Sequence, residues 1–518
     1  MSDASAVSAG RGVVYIGLAK IYFIIAGYAI YFALPRLLGS PVAWGEYLLV
    51  IGLVSVVNNV IVTATIQGVS KFTAQGDVSA AAVQRAALRV QVVLGGGAAA
   101  LFAAAAPWIA AWERDPRLAR WYALAAGIIV CYAFYAVFIG SLNGLRRFRE
   151  QAAFDASFAT LRALLIIGGA GVGWGVAGAV GGFVGAAALI LVAALWRVGW
   201  PVRDGEALAS GRLWRLMLEL FASTLALNLV MRADLLLLKR FATALAARTL
   251  DTAAAMAAAS AAAGYYGTAQ SLAFIPYQLI LAVTFVVFPL VSRSTFAADH
   301  AATRLYIHRT LRLSLIFVAG LAAVLMANPE AVITVLYPAI YRAGGPALRW
   351  LAAGMVCFSL LTVSNTILNG AGHTRAVIVT TLATLLLLVA ANAFAVPRSA
   401  SPSTALEVAA AATALAMLAG LGIATLLLRR TLGAALPWGT VWRVVVAWGL
   451  AAVVGAWLPE RSRFLTLIEC GLVLLTYGVA LVVLGELGRQ DVQLLRGGRP
   501  QGPPPMTAGN ARKGDGGR

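Results

Sequence analysis

Apolar runs of about 20 residues recur along the whole chain, and that recurrence limits the fold more than any other feature. Inside lipid every backbone polar group must be satisfied within the structure, which leaves helices and closed barrels. No alternation of apolar and polar residues recurs, so the barrel is set aside. Hydropathy places about 14 spans, near residues 13–34, 46–68, 90–112, 121–141, 154–174, 175–196, 214–238, 264–291, 310–328, 348–369, 376–397, 405–428, 438–458 and 464–486. The expectation is an all-α polytopic membrane protein. Only 12% of the residues are charged, about half the fraction of a soluble domain.

The net charge is +20. In a soluble protein it would point to nucleic acid. Here the cations lie mostly in loops next to spans, so they report topology first. Loops on one side carry 25 Lys and Arg, those on the other 12, with Lys20, Arg162 and Arg232 left inside spans. The positive-inside rule puts the richer side and both termini in the cytoplasm. Residues 1–12 read as a short cytoplasmic start without a cleavable signal, and 489–518 as a disordered basic tail. Cys131, Cys357 and Cys470 sit in apolar runs, and His300, His308 and His373 are scattered in loops. That pattern offers no disulfide framework and no metal set. No Gly-rich phosphate loop or acid pair beside a nucleophile occurs, so neither a cofactor nor an enzyme activity is expected.

The chain repeats itself. Gly45-Glu-Tyr47 opens span two and Gly264-Tyr-Tyr266 opens span eight; Leu142-Asn143-Gly144 ends span four and Leu368-Asn369-Gly370 ends span ten. In that register Asn59 falls on Gln278. Two parallel six-helix halves follow, 13–200 and 201–433, with an added helix pair at 434–488. A glycine-dense hairpin at 168–185 suits close helix packing. An alanine-rich insert at 241–263, absent from the first half, reads as a short helix on the outer face.

Charges inside spans are costly and mark cavities or ion paths. Span seven holds Glu219, Thr224, Asn228, Arg232 and Asp234. Thr224, Asn228 and Arg232 form one stripe on a helix, whereas Asp234 points about 200° away from Arg232. Either the pair snorkels at the rim or each finds a neighbour inside. Arg162 sits deep in span five, with Asp155 two turns earlier. Lys20 lies two turns into span one, within reach of the interface. Span two carries Ser55, Asn59, Thr63 and Gln67 at steps of four, a ribbon that glues helices or lines water. Tyr22, Tyr28 and Tyr31 in span one fit packing or sugar stacking. The deep acids are few: Glu219, Asp234 and Glu469. Surplus cations favour an anionic ligand, and arginine forks suit phosphate oxygens.

At these residues the chain resembles the superfamily of multidrug, oligosaccharidyl-lipid and polysaccharide flippases, in its polysaccharide-biosynthesis branch. The resemblance runs over spans one to twelve. It rests on Arg36-Leu-Leu-Gly39 followed by Gly45-x-Tyr47, Leu142-Asn143-Gly144 before Arg146-Arg147-Phe148, Arg232-Ala-Asp234-Leu-Leu-Leu, Phe288-Pro289-Leu, and Leu368-Asn-Gly-Ala-Gly372. It implies two lobes around a central cavity, alternating access, and export of a polyprenyl-pyrophosphate-linked sugar from the cytoplasmic to the outer leaflet of the cell membrane. Similar fourteen-helix members use the last helix pair as a groove for the lipid tail. The insert at 241–263 departs from the pattern.

On this reading Arg162 and Arg232, with Lys20, meet the pyrophosphate. Asn59, Asn228, Gln278 and Thr63 face the sugar, and Asp234 or Glu219 couples an ion. The expected partners are the lipid-linked sugar, the bilayer and polysaccharide assembly proteins, with no nucleic acid. Two rivals stand beside it. A multidrug or cation antiporter of the same superfamily needs acids in the lobe interiors. A membrane enzyme, a polymerase or ligase acting on lipid-linked sugar, needs a large outer loop rich in polar residues.

Overall fold

The computed structural model describes residues 3–202, 206–296, 300–457 and 463–488. The basic tail expected at 489–518 lies outside them. Seventeen α-helices order the described residues: α1 (Asp3–Leu38), α2 (Pro41–Gln75), α3 (Ala80–Gln91), α4 (Gly97–Trp112), α5 (Ala119–Gly144), α6 (Phe148–Gly169), α7 (Gly175–Val198), α8 (Ser210–Val230), α9 (Ala233–Ala246), α10 (Thr252–Phe296), α11 (His300–Ala327), α12 (Pro329–Leu336), α13 (Gly345–Gly370), α14 (Thr374–Ala395), α15 (Pro402–Leu432), α16 (Trp438–Trp457) and α17 (Arg463–Val483). No strand occurs among the described residues. The protein is an all-α, multi-pass membrane protein.

Eleven segments among the described residues are long and apolar enough to cross a membrane, against the 14 spans expected. One of the eleven, Phe148–Val198, covers both α6 and α7. The chain reverses between them at Gly173 (φ 90°) and Gly175 (φ 54°), a backbone that L side chains avoid. The two helices then press together at glycine: a Cβ on Gly178 would meet the Gly169 carbonyl oxygen at 2.1 Å. The glycine-dense hairpin is therefore a packing device.

Helix starts follow local chemistry. Ser40 caps α2 by accepting from Val42 N–H, with Pro41 at the first position, and Gly76 closes it at φ 73°. Ser401 and Thr404 form a reciprocal cap on α15, which satisfies donors that would otherwise be orphaned. The helix α1 already begins at Asp3, so the start expected before the first span is helical. The alanine-rich insert makes no helix of its own. Alanine's high helix propensity extends both flanks, so 241–246 complete α9 and 252–263 begin α10. The turn between them is fixed by Asp251, whose carboxylate accepts from Ala254 N–H at 2.8 Å.

The helices gather into two bundles. In the first, α2 packs on α5, α1 on α6, α5 on α4 and α7. In the second, α13 packs on α15, α10 and α11, and α14 on α15. The last pair, α16 and α17, leans on α11. Its far end is tied down at Glu486, which accepts from Arg312 Nε at 2.6 Å, Arg443 Nη1 at 2.8 Å and Thr440 Oγ1 at 2.7 Å. Burial alone would push that carboxyl up, but the two arginines and the threonine hold it below its usual range.

The two bundles meet along α2, which packs on α10 and on α8. We call the end of the molecule where α1 begins proximal and the opposite end distal. At the distal end backbone touches backbone. A Cβ on Gly45 would lie 1.9 Å from the Ser260 carbonyl oxygen, and one on Gly264 2.3 Å from that of Pro41. The glycines that open spans two and eight thus mark the seam between the bundles.

Candidate functional site: a cationic cavity between the bundles

A cavity of about 470 Å³ lies between the bundles. The first bundle lines it with α1, α2, α5, α6 and α7, and the second with α10 and the stretch between α8 and α9. Lys20, Arg162 and Arg232 all face it, as do Asn59 and Gln278. Asp155 is its only acid among the described residues, and its Oδ2 lies 3.1 Å from Lys20 Nζ. Three cations against one carboxylate leave a net surplus of positive charge.

Arg162 is held by aromatic faces. Its guanidinium carbon lies 4.4 Å from the Phe23 ring centroid, 5.7 Å from Phe183 and 5.9 Å from Phe158. Its Nε is buried without a hydrogen-bond partner. Asp155 sits on the same helix yet pairs with Lys20 instead. Ring quadrupoles stabilise a cation by about 0.5–2 kcal/mol each while leaving its N–H donors free for a ligand. Gly27 makes the room: a Cβ there would touch Arg162 Nη2 at 3.4 Å.

Arg232 stands where span seven breaks. The helix expected to run through this stretch ends at Val230, and α9 starts at Ala233, with Arg232 at φ −135° between them. Asp234 in the first turn of α9 accepts from Leu235 N–H at 2.8 Å, a bond that stabilises a helix start. Broken membrane helices commonly place backbone dipoles and charged groups at ligand sites. Asp234 itself is buried, 1% exposed, and does not line the cavity. Glu219, expected to share ion coupling with it, has its side chain outside the described residues.

Two of the four residues expected to meet sugar lie elsewhere. Thr63 is not in the cavity wall. Residues four apart on a helix drift by about 40° per step, so the ribbon from Ser55 and Asn59 has turned away by Thr63 and Gln67. Asn228 also misses the wall; its Oδ1 accepts from Asn59 Nδ2 at 3.0 Å, joining α2 to α8. Tyr28 and Tyr31 line the cavity, while the Tyr22 hydroxyl bonds Thr160. Tyr47 of the Gly45-Glu-Tyr47 repeat also lines it, as do Tyr132, Tyr135 and Gln270, which stood out in no motif.

Contacts bridge the two bundles toward both ends of the cavity. Proximally, Gly68 packs against Leu213 and Met217, and Arg85 donates to the carbonyls of Val202 and Glu206. Distally, Trp44 Nε1 donates to Thr268 Oγ1 at 3.0 Å, and the Tyr28 hydroxyl to the Ser271 carbonyl at 3.2 Å. Beyond them is a buried ion pair between the bundles. Lys239 Nζ lies 2.9 Å from Asp115 Oδ2, both side chains fully buried. Lys239 also donates to Ser260 Oγ at 2.7 Å and Met256 O at 3.0 Å, so its three donors are used. Arg117 forks onto Asp115 at 2.8 and 2.9 Å. Burial would raise the Asp115 carboxyl, but Arg117 and Lys239 hold it below its ordinary value. Glu113 beside it is pushed up to about 7 by burial, against the Tyr122 hydrogen bond and the Lys239 charge. Neither Asp115 nor Lys239 signals this pairing locally, since they are 124 positions apart.

Two helical bundles around a cavity define the class: an all-α, multi-pass membrane protein. Within it the chain belongs to the polysaccharide biosynthesis protein family, whose model matches residues 33–343. The fold is that of several solved transporters. One is the lipid II flippase MurJ in an inward closed conformation, with a TM-score of 0.70 and 12% identity over 91% of this chain and 98% of that one. An inward-facing multidrug transporter of the MATE family gives 0.61 and 13% over 82% and 98%. A transporter from Pyrococcus furiosus, described as having a binding pocket of reversed polarity, gives 0.57 and 14% over 82% and 96%. No curated protein matches the chain.

Proposed function

We propose that this protein carries a polyprenyl-pyrophosphate-linked oligosaccharide across the cytoplasmic membrane for cell-surface polysaccharide synthesis. The observation that carries the reading is Arg162: a cation on the cavity wall, held by three rings and with no carboxylate partner among the described residues. Arg162 and Arg232 bind the pyrophosphate through their free N–H groups, and Lys20 exchanges Asp155 for a phosphate oxygen. Asn59 and Gln278 meet the sugar, with Tyr28 and Tyr31 as stacking faces. The volume lies in the roughly 300–1,000 Å³ range of small-molecule sites, so the head group enters and the polyprenyl tail stays outside. The proximal end faces the cytoplasm, a placement supported by the excess of Lys and Arg on that side. Alternating access follows from parting the bundles at one end at a time.

The antiporter reading is less well supported, because the one cavity acid among the described residues is already paired with Lys20. The test is export of lipid-linked sugar in cells carrying Arg162→Ala or Arg232→Ala. Loss of export at unchanged protein abundance is expected. Full export in both variants refutes the phosphate role.

A further inference from the structure

We propose that Asp234 and Gln270 are positioning residues: the buried carboxylate fixes the Gln270 amide, and the amide carbonyl aims Arg232 into the cavity. The inference rests on the reading of Arg232 as a pyrophosphate contact. Asp234 is only 1% exposed, yet each of its oxygens is engaged. Oδ1 accepts from Leu235 N–H at 2.8 Å and from Gln270 Nε2 at 3.1 Å. Oδ2 accepts from the Tyr266 hydroxyl at 2.7 Å and from Gln270 Nε2 at 3.1 Å. A carboxylate offers about four lone-pair sites, and four contacts fill them. No site is left for a coupling ion or for cargo.

The same geometry decides which way Gln270 points. An ionised carboxylate only accepts hydrogen bonds. The amide must therefore turn its NH2 group toward Asp234 and its carbonyl the other way. That carbonyl, Oε1, accepts from Arg232 Nη1 at 3.3 Å. Gln270 also lines the cavity wall beside Arg232. Arg232 makes no ion pair among the described residues; Phe274, with its ring centroid 5.9 Å away, is its other close neighbour. Asp234 thus reaches Arg232 through one neutral amide. The guanidinium is oriented but not neutralised, and its remaining donors stay free for an anion. A carboxylate in direct contact would hold Arg232 more firmly but would compete with phosphate for the same N–H groups.

Asp234→Asn keeps the shape and removes the constraint. An asparagine can accept or donate, so the Gln270 amide is free to reverse and turn NH2 toward Arg232. Gln270→Met removes the carbonyl while keeping the length, and reaches the same end by a second route. Groups that orient a ligating side chain typically change affinity by about 10–100-fold when replaced. We expect about a tenfold loss here, because Arg162 still holds the anion.

The experiment is a mutant cycle read by calorimetric titration of inorganic pyrophosphate into the full-length protein in lipid nanodiscs. Asp234→Asn is made alone and in an Arg232→Ala background, with Gln270→Met taken through the same cycle. Positioning predicts about a tenfold weaker Kd for each single variant and no further loss once Arg232 is gone. Equal losses in both backgrounds, or no loss in either, overturn it. If Asp234→Asn does not fold, Gln270→Met decides alone. Failure of the transport reading looks different: pyrophosphate binds wild type no better than the Arg162→Ala and Arg232→Ala variants. In that case the structure of Asp234→Asn by electron microscopy decides the positioning claim. Arg232 released from Gln270 supports it, and Arg232 unmoved overturns it.

Discussion

Replacing Asp115 by Asn should open the distal end of the cavity. The variant removes the charge facing Lys239, which has no exposed surface, and leaves it only neutral acceptors, among them Ser260 Oγ and Met256 O. Removing one member of a buried ion pair costs about 3–5 kcal/mol. Lys239→Met should cost less, about 1.5–3 kcal/mol, because Asp115 keeps the fork from Arg117. Both penalties fall on the closed state, where the groups are dry. They vanish when the bundles part and water reaches them. A cost of about 3 kcal/mol shifts the closed-to-open ratio by about two orders of magnitude. The assay places a cysteine at Ser55, on the cavity wall, in a chain whose Cys131, Cys357 and Cys470 are replaced. The rate of modification by an impermeant maleimide applied from the distal side is then measured. We expect acceleration in the order Asp115→Asn, then Lys239→Met, with the double variant back toward wild type. Lower melting temperatures with unchanged labelling in both single variants would refute the gate and leave a packing contact.

Two further outcomes follow from the same seam. Glu113 has its carboxyl raised to about 7 from an ordinary 4.5, so its contribution to stability is complete below about 4.5 and is lost as pH rises through about 7. Thermal stability should therefore fall between pH ~4.5 and ~7 and level off above that, and Glu113→Gln should flatten that slope; an identical slope in the variant would show that other groups titrate. Gly45→Ala drives a Cβ into the Ser260 carbonyl oxygen, a backbone atom that cannot swing aside. It should speed distal labelling of the same Ser55→Cys reporter while α2 stays folded, and unchanged labelling would mean the bundles have slack there.

Much of this was legible in the residues because membranes restrict what a chain can do. A cation inside an apolar run has few resting places, and Lys20, Arg162 and Arg232 all turn to one cavity. Glycines opening the second and eighth spans marked the repeat, though that they form the seam between the bundles needed coordinates. Extrapolation along an ideal helix failed where the helix was not ideal. No proline or glycine announces the break at Met231 and Arg232. The ribbon from Ser55 to Gln67 rotated off the cavity through a small angle repeated three times. Pairings across the two bundles, Asp115 with Lys239 above all, have no local trace.

The short helix α9 carries both functions at once. Arg232 stands at its start and Lys239 seven positions on, about 10 Å along the axis at 1.5 Å per residue. Being severed from α8, this helix can tilt as a stiff connecting rod. On the proposed function, a shift of Arg232 toward cargo would be carried along this one helix to Lys239 and its partner Asp115.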